Sequence, residues 1–332
     1  MKQLALAVLF ILSLQGCGNV GKPKNEEIEL AVNTKPERVA IESLFHCSKH
    51  IGISGEISYQ WKKSDSLCAH ASTEELLRLA TDHHDIVERL IAFRALLTKD
   101  PHVAVNLAIS EIEDTTMVSI LDGDCGQEDM VSNVRIGMIQ YERKHYNVSL
   151  GDSMRIDSAL LFSDNTYKFD YMYHLYQKLP AKPEYEERLR QLYEQNHYAL
   201  IALARYHRED IKQEIIRLLS QLDHKDLWSF RDTIRTALDA VIVWPSESYK
   251  QQVRQICQNI LNRKDTDGCN RSAFGALMAY NDKWSYDFID KTLSNAKQKD
   301  QNYFDNCWMF HEAYEANPLP LFKPLLQKYR DW

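Results

Sequence analysis

Two short segments combine residue types that are able to bind a metal ion. The tripeptide His83-His84-Asp85 places two imidazoles beside a carboxylate, and such steps ligate metals only where further residues complete the shell. Residues 122–129 are rich in carboxylates, but Gln127 and Asn133 stand where a calcium-binding EF-hand needs glycine and glutamate. Both segments lie in polar stretches between predicted helices. We therefore predict solvated turns there, with no metal and no cofactor.

Motifs that position a nucleophile or a phosphate are absent from the sequence. It contains no Gly-x-Ser-x-Gly elbow, no SxxK, no HExxH and no glycine-rich phosphate loop. The 47 acidic residues outnumber the 40 basic ones, and no dense basic run favours nucleic acid. Catalysis is not the expected role. Because the paired carboxylates of a glycosidase are set by geometry rather than spacing, a glycan or peptide hydrolase with a helical groove stays open as an alternative.

Aromatic side chains are the stronger candidates for binding. The chain has 17 Tyr and 6 Trp, and four of the tryptophans recur at repeat-like intervals in its second half: Trp228, Trp244, Trp284 and Trp308. Rigid amphipathic rings of this kind dominate binding interfaces. These four are the candidate binding residues for a peptide or glycan ligand, while packing between helices is the use we expect for most of them.

The cysteines form an even set once Cys17 is put aside. The six are Cys47, Cys68, Cys125, Cys257, Cys269 and Cys307. An even number is typical of disulfides in an oxidising compartment. Cys47 and Cys68 bracket residues 51–61, an alternating segment that predicts a small hairpin, and Cys257 and Cys269 lie across a helix-to-helix connection. These four are the candidate disulfide cysteines, with buried free thiols as the alternative.

Helical periodicity dominates the chain from Ser72 onward. Ser72 and Glu75 have the spacing of a capping box, and residues 86–98 carry a one-sided apolar stripe. Only 11 Gly and 9 Pro punctuate the sequence, which is few for a β-protein with many tight turns. The sequence therefore predicts an all-α fold.

A unit of about 37 residues recurs along the chain. Its marker is a central alanine in an apolar helix, found at Ala95, Ala202, Ala276 and Ala313, with a fainter copy at Ala240. Small residues at such positions let paired helices approach closely. Residues 122–179 keep the period poorly, so we expect an irregular repeat or an inserted loop there.

A period in the upper thirties with two helices per unit resembles HEAT-like repeats. Residues 86–96 (IVERLIAFRAL) are similar to the Val-x-x-Arg-x-x-Ala-x-x-Ala-Leu pattern of that family. The resemblance implies an α-α superhelix, or solenoid, over residues 38–330. Residues 47–139 also resemble a recurring type of bacterial lipoprotein with no assigned chemistry, so no active-site residues carry over.

The N-terminus resembles a bacterial lipoprotein signal. Residues 4–14 form an apolar run too short to span a bilayer, and Leu14-Gln15-Gly16-Cys17 resembles a lipobox, in which the cysteine is diacylglycerylated. This implies a signal peptide over 1–16 and a lipidated Cys17 with a flexible tether over 17–37. Gly18 after the cysteine implies, by enterobacterial sorting, the outer membrane facing the periplasm. An ordinary secretory signal is the alternative.

These features predict a membrane-anchored helical-repeat scaffold of the cell envelope. Its partners would be the bilayer, through the acyl chains on Cys17, and a protein or peptide held near the membrane. One alternative is the hydrolase mentioned above, and another is an immunity lipoprotein that neutralises a toxin. A hydrolase predicts a deep cleft with carboxylates of raised pKa, whereas a scaffold predicts a shallow extended surface.

Overall fold

The computed structural model describes residues 41–42, 59–82, 85–122, 125–221, 231–262, 269–299 and 303–330. All of these belong to one compact unit, Ile41–Trp332. For residues 41–42, 121–126 and 298–299 the backbone alone is described. The predictions for the signal peptide, Cys17, Cys47, the pair His83-His84 and Trp228 concern residues outside the described ones.

Helices make up most of the described chain, so the all-α prediction is confirmed. They are α1 (Tyr59–His70), α2 (Thr73–Ala80), α3 (Ile86–Lys99), α4 (Pro101–Ser110), α5 (Val131–Tyr141), α6 (Leu150–Phe162), α7 (Met172–Lys178), α8 (Pro183–Gln195), α9 (Ala199–Leu203), α10 (Glu209–Gln221), α11 (Arg231–Val243), α12 (Lys250–Leu261), α13 (Asn270–Ala279), α14 (Lys283–Lys299), α15 (Tyr303–Ala316) and α16 (Lys323–Lys328). Within the described residues, no helix is long and apolar enough to cross a membrane.

A small sheet lies beside the first helices. Strand β1 (Ile41–Glu42) pairs in parallel with β2 (Met117–Asp122), and β2 forms an antiparallel hairpin with β3 (Cys125–Met130). The alternate residues Val118 and Ile120 are buried, as expected for a strand with one face on the core. The acidic segment 122–129 is therefore part of a hairpin rather than a loop between helices.

The hairpin predicted at residues 51–61 is not formed at its C-terminal end. Tyr59, Gln60 and Trp61 begin helix α1, and residues 51–58 lie outside the described part of the chain. Trp61 and Ser64 stand one helical turn apart and are both buried. A helix is favoured over a strand here because helical spacing buries the Trp61 indole. The Arg94 guanidinium lies 3.5 Å from the centroid of that ring.

The starts of the early helices follow from local sequence. The Ser72 hydroxyl accepts from the Glu75 N–H at 3.2 Å, and the Ser72 N–H donates to the Glu75 carboxylate at 2.8 Å, so the capping box is confirmed. The Asp100 carboxylate caps α4, where Pro101 occupies the first turn. Helix α3 then contacts α1, α2, α4 and α5, and residues 89–97 are buried.

Three buried arginines hold these helices together. Arg89 pairs with Asp114, Arg94 with Asp65, and Arg135 with Glu111. The Arg135 side chain is fully buried and also donates to the Ala80 carbonyl, at 2.6 Å. Carbonyls in the last turn of a helix have no N–H partner within that helix. Arg135 supplies a hydrogen-bond donor to one of them at the end of α2.

In the second half of the chain the helices alternate between two roles. Helices α7, α9, α11, α13 and α15 contact one another in that order and form what we call the first-helix layer. Between them, α8, α10, α12 and α14 each contact the member that follows along the chain. The central alanines of α9, α11, α13 and α15 are all buried: Ala202, Ala240, Ala276 and Ala313.

One glycine shows how closely the layer packs. A Cβ atom built on Gly275 of α13 would lie 2.6 Å from Cδ1 of Ile242 in α11. The missing side chain therefore lets these two helices approach.

Residues 122–179 contain a regular part and an inserted part. Helix α5 packs against α3, α4 and α6, and its first ten residues are buried. The β2–β3 hairpin precedes α5, and the helix near the end of the segment, α7, is seven residues long.

Candidate ligand-binding surface on the first-helix layer

A row of aromatic rings crosses the start of the first-helix layer, and we call it the aromatic strip. Its members are Tyr141, Tyr171, His174, Tyr173 and Tyr198, in order of contact. Successive ring centroids lie 5.5, 5.8, 5.6 and 5.2 Å apart, the range of favourable aromatic pairs. The strip therefore joins the end of α5 to the start of α9 through α7.

Helical spacing on α7 explains which of its residues face outward. Met172, Leu175 and Tyr176 are buried, which leaves Tyr173 and His174 on the opposite side. Although His174 is exposed, partial desolvation by its neighbours lowers its pKa, and the nearby Arg235 and Arg271 lower it further. The imidazole is thus neutral at pH 7, and it is able both to donate and to accept a hydrogen bond.

A cavity of ≈ 390 Å³ has Asp239 in its lining, and this carboxylate accepts a hydrogen bond from Tyr173 of the strip. Helices α9, α11, α13 and α15 supply most of its walls, and we call it the Arg271 cavity. Its apolar lining comes from Ile201, Ile242, Val243, Met278, Ala313 and Ala316. Its charged and polar lining comes from Gln177, Arg205, Asp239, Arg271, Ser272 and Asn317. Such a mixture, in a volume above 300 Å³, is typical of small-ligand sites.

Asp239 ties the cavity to the strip. This carboxylate is 4% exposed and accepts hydrogen bonds from the Tyr173 hydroxyl, from Ser272 and from the Gln177 amide, the last at 3.4 Å. Burial raises the pKa of Asp239, despite these donors and the nearby guanidinium of Arg235. Arg235 itself lies 3.8 Å from the centroid of the Tyr173 ring. The carboxylate thus fixes α7 against α11 and α13.

The two arginines of the cavity differ in how their donors are used. Arg205 donates to the carbonyls of Tyr176 and Ile201, at 3.0 and 3.2 Å, and to that of Gln177, so it caps the end of α7. The closest carboxylate contact of Arg271 is a distance of 3.7 Å from its Nε to Oε2 of Glu312. The terminal nitrogens of Arg271 donate to no group among the described residues.

A second cavity, of ≈ 540 Å³, lies at the other end of the strip, and we call it the Lys178 cavity. Its lining includes Tyr141, Arg143, Tyr171 and Lys178. The Lys178 ammonium is 2.8 Å from the Asp157 carboxylate, which reduces the effect of its charge. Burial lowers the pKa of Lys178 and raises that of Asp157. The ion pair shifts both pKa values in the opposite directions, so each group makes the other less costly to bury.

The predicted tryptophans have separate surroundings. Trp244 stacks on His207 at 4.9 Å, and Trp284 stacks on Phe288 at 5.2 Å, both half-buried as packing residues. Trp308 is 50% exposed and donates to Glu312, the residue that approaches Arg271. Trp308 is thus linked to Arg271 through Glu312, and Trp244 directly follows Val243, a residue of the cavity lining.

The described cysteines are free thiols in the structure: Cys68, Cys257, Cys269 and Cys307. The thiols of Cys257 and Cys269 point to different carbonyls, those of Ala273 and Arg231, at 3.5 and 3.7 Å. Burial raises the pKa of Cys269 to about 11 and that of Cys257 further still. Cys257 and Cys269 therefore form no disulfide with each other in the structure. A disulfide of Cys47 with Cys68 stays a prediction.

Sequence reasoning placed binding on tryptophans and did not select the strip. Two of its tyrosines, Tyr171 and Tyr173, were visible in a tyrosine cluster between residues 167 and 176, but that pattern indicated only a helix. Among the described residues, no group of three or more His, Cys, Asp or Glu is arranged to hold a metal.

No protein-family model matches this chain, and no curated protein or solved structure shows significant similarity to it.

Proposed function

We propose that this chain is a lipid-anchored α-helical repeat protein of the bacterial cell envelope whose first-helix layer binds a protein or peptide. The observation that carries the proposal is the aromatic strip, which lines the Lys178 cavity through Tyr141 and Tyr171 and reaches Asp239 of the Arg271 cavity through Tyr173. Partly exposed rings beside cationic groups suit a peptide, because they bury area at a low cost in conformational entropy.

The repeat character rests on the alternating helix contacts and on the buried central alanines. In solenoid proteins each unit contacts its neighbours, and the equivalent helices of successive units form an extended binding surface. Helices α7, α9, α11, α13 and α15 follow this order of contact. We therefore favour a solenoid with its ligand on the first-helix layer.

The anchor rests on the sequence of the first 17 residues. Two or more acyl chains on Cys17 would hold the protein at a bilayer much more firmly than a single chain. Replacement of that cysteine, Cys17→Ser, is expected to move the protein from the membrane fraction to the soluble periplasmic fraction. A variant that still pellets entirely with membranes would contradict lipidation at this residue.

The burial and the hydrogen bonds of Asp239 favour a binding role over hydrolysis. Its raised pKa is the feature expected of a catalytic carboxylate in a cleft. Its oxygens, however, already accept from three side chains, and only 4% of the residue is exposed. These contacts suit a structural acceptor better than an acid that must reach a substrate.

Affinity capture from native membranes tests the binding role. The lipidated protein is expected to recover one envelope protein in near-equal amount. A double variant, Tyr141→Ala with His174→Ala, should lose that protein, because both side chains are exposed members of the strip. Tyr167→Ala is the matched control, since Tyr167 is 55% exposed and lies outside the strip. Recovery that is unchanged in the double variant would contradict the proposal.

A further inference from the structure

The Arg271 cavity contains one guanidinium, that of Arg271, whose terminal nitrogens donate to no described group. Among the described residues, the arginines Arg89, Arg94, Arg135 and Arg254 have a buried Nε. Each of them places a terminal nitrogen against a carboxylate. Arg271 also has a buried Nε, but its terminal nitrogens donate to no described group. A guanidinium fork that is held in place and left open is suited to a carboxylate, which it binds through two parallel hydrogen bonds.

The other charges of the cavity do not supply that carboxylate. The charge of Arg271 acts on Asp239 and works against the rise in its pKa, but the oxygens of Asp239 are engaged by Tyr173, Gln177 and Ser272. Glu312 stands 3.7 Å from the Arg271 Nε and is also the acceptor of the Trp308 indole. The cavity therefore keeps a net attraction for a negative group, which Arg205 reinforces from the α7 side.

The apolar walls of the cavity indicate that the anionic ligand also has an aliphatic part. Ile201, Ile242, Val243 and Met278 provide an aliphatic surface, and the small side chains of α15 leave room in front of it. Burial of aliphatic carbon there is favourable by the ordinary hydrophobic effect.

We propose that the Arg271 cavity binds the carboxylate of an aliphatic carboxylic acid, with the Arg271 fork on the carboxylate and the aliphatic part against Ile242 and Met278. A peptide C-terminus with an aliphatic last residue and a free fatty acid share this chemistry. The inference deepens the proposed function, because it rests on the first-helix layer as the binding surface and names the group that the layer recognises.

Calorimetric titration of the full chain with N-acetyl-leucine, N-acetyl-leucinamide and hexanoate tests the proposal. N-acetyl-leucine should bind and its amide should not, because the amide lacks the charge that the fork requires. Hexanoate separates the two sources: binding of both acids indicates any aliphatic acid, and binding of N-acetyl-leucine alone indicates a peptide C-terminus. Equal binding of acid and amide, or binding of neither, would overturn the proposal.

Variants locate the site. Arg271→Gln should weaken N-acetyl-leucine binding by about tenfold to a hundredfold, the usual effect of removing hydrogen bonds to a charged group. Ala316→Leu, at an exposed position of the lining, should weaken it by filling the cavity while leaving the charge in place. Arg217→Gln is the control, because that arginine pairs with Glu214 on α10, outside the cavity lining.

Unchanged affinity in both cavity variants would place the ligand elsewhere and reject this site. Circular dichroism melting of each variant excludes loss of fold as the cause of weaker binding. If the acids fail to bind while capture through the aromatic strip persists, the carboxylate inference alone is wrong. If capture through the strip fails as well, the proposed function falls with it.

Discussion

Three buried arginines in the first half of the molecule differ from Arg271, in the second half, in how closely a carboxylate approaches them. In helices α1–α6 the buried side chains of Arg89, Arg94 and Arg135 each hold a carboxylate from another element. In helices α7–α16 the packed layer is built on alanine, and Arg271 lines a cavity with its terminal nitrogens open. Ion pairs such as Arg254–Asp282 also occur in the second half, but the first-helix layer packs on small residues and Arg271 lacks a close carboxylate partner of this kind in the described part of the chain.

The largest effect is expected from the first half. Arg135→Met removes the cation from Glu111, whose side chain is 22% exposed, and the donor from the carbonyl of the fully buried Ala80. We expect a loss of about 3 kcal/mol in the free energy of unfolding, measured by urea denaturation. Arg155→Met, at a 47% exposed side chain, should cost less than about 1 kcal/mol. Similar losses in both variants would contradict the structural role of the buried pair.

A smaller effect is expected from overpacking the first-helix layer. Ala276→Leu adds three carbons at a fully buried position between α11 and α15. We expect a cost of about 2 kcal/mol, read from the same urea denaturation curves. The exposed Ala316→Leu on α15 should leave stability nearly unchanged. A neutral Ala276→Leu would show that the helices are not in close contact at that alanine.

The smallest effect concerns the pH dependence of stability through Asp239. Because burial raises its pKa in the folded protein, folding binds that proton more tightly than the unfolded chain does. The stability from this group is therefore fully present below the ordinary carboxyl pKa of about 4 and is lost as the pH rises through the raised value. Asp239→Asn should raise the melting temperature at pH 7 by a few degrees and leave it unchanged near pH 3.

A matched carboxylate gives the opposite sign. The pKa of Asp210 is lowered by its hydrogen bond to Arg190, so Asp210→Asn should lower the melting temperature slightly at pH 7. A lower melting temperature for Asp239→Asn at pH 7 would instead mean that attraction to Arg235 outweighs the cost of burial.

Local signals in the sequence predicted much of the fold. The capping box of Ser72 and Glu75 depends on residues three positions apart, and the central alanines depend on one helix each. The β2–β3 hairpin was missed because Met117 to Met130 lies in a glycine-containing acidic stretch that indicates a turn more strongly than a strand.

The candidate site was harder to predict because its members are distant in the sequence. Tyr173 meets Asp239 across 66 positions, and Tyr141 meets Tyr171 across the whole of α6. No spacing rule joins such residues, since the contacts follow from how the helices pack. The tryptophans were conspicuous by type, yet Trp244 and Trp284 are used in packing.

Site-specific photocrosslinking most directly tests whether the first-helix layer is the binding surface. A photoreactive phenylalanine analogue would replace either His174, in the aromatic strip, or Gln213, exposed on α10, in the lipidated full chain within native membranes. We predict a discrete adduct with one envelope protein from position 174 and none from position 213. Adducts of equal yield from both positions, or an adduct from position 213 alone, would contradict the account.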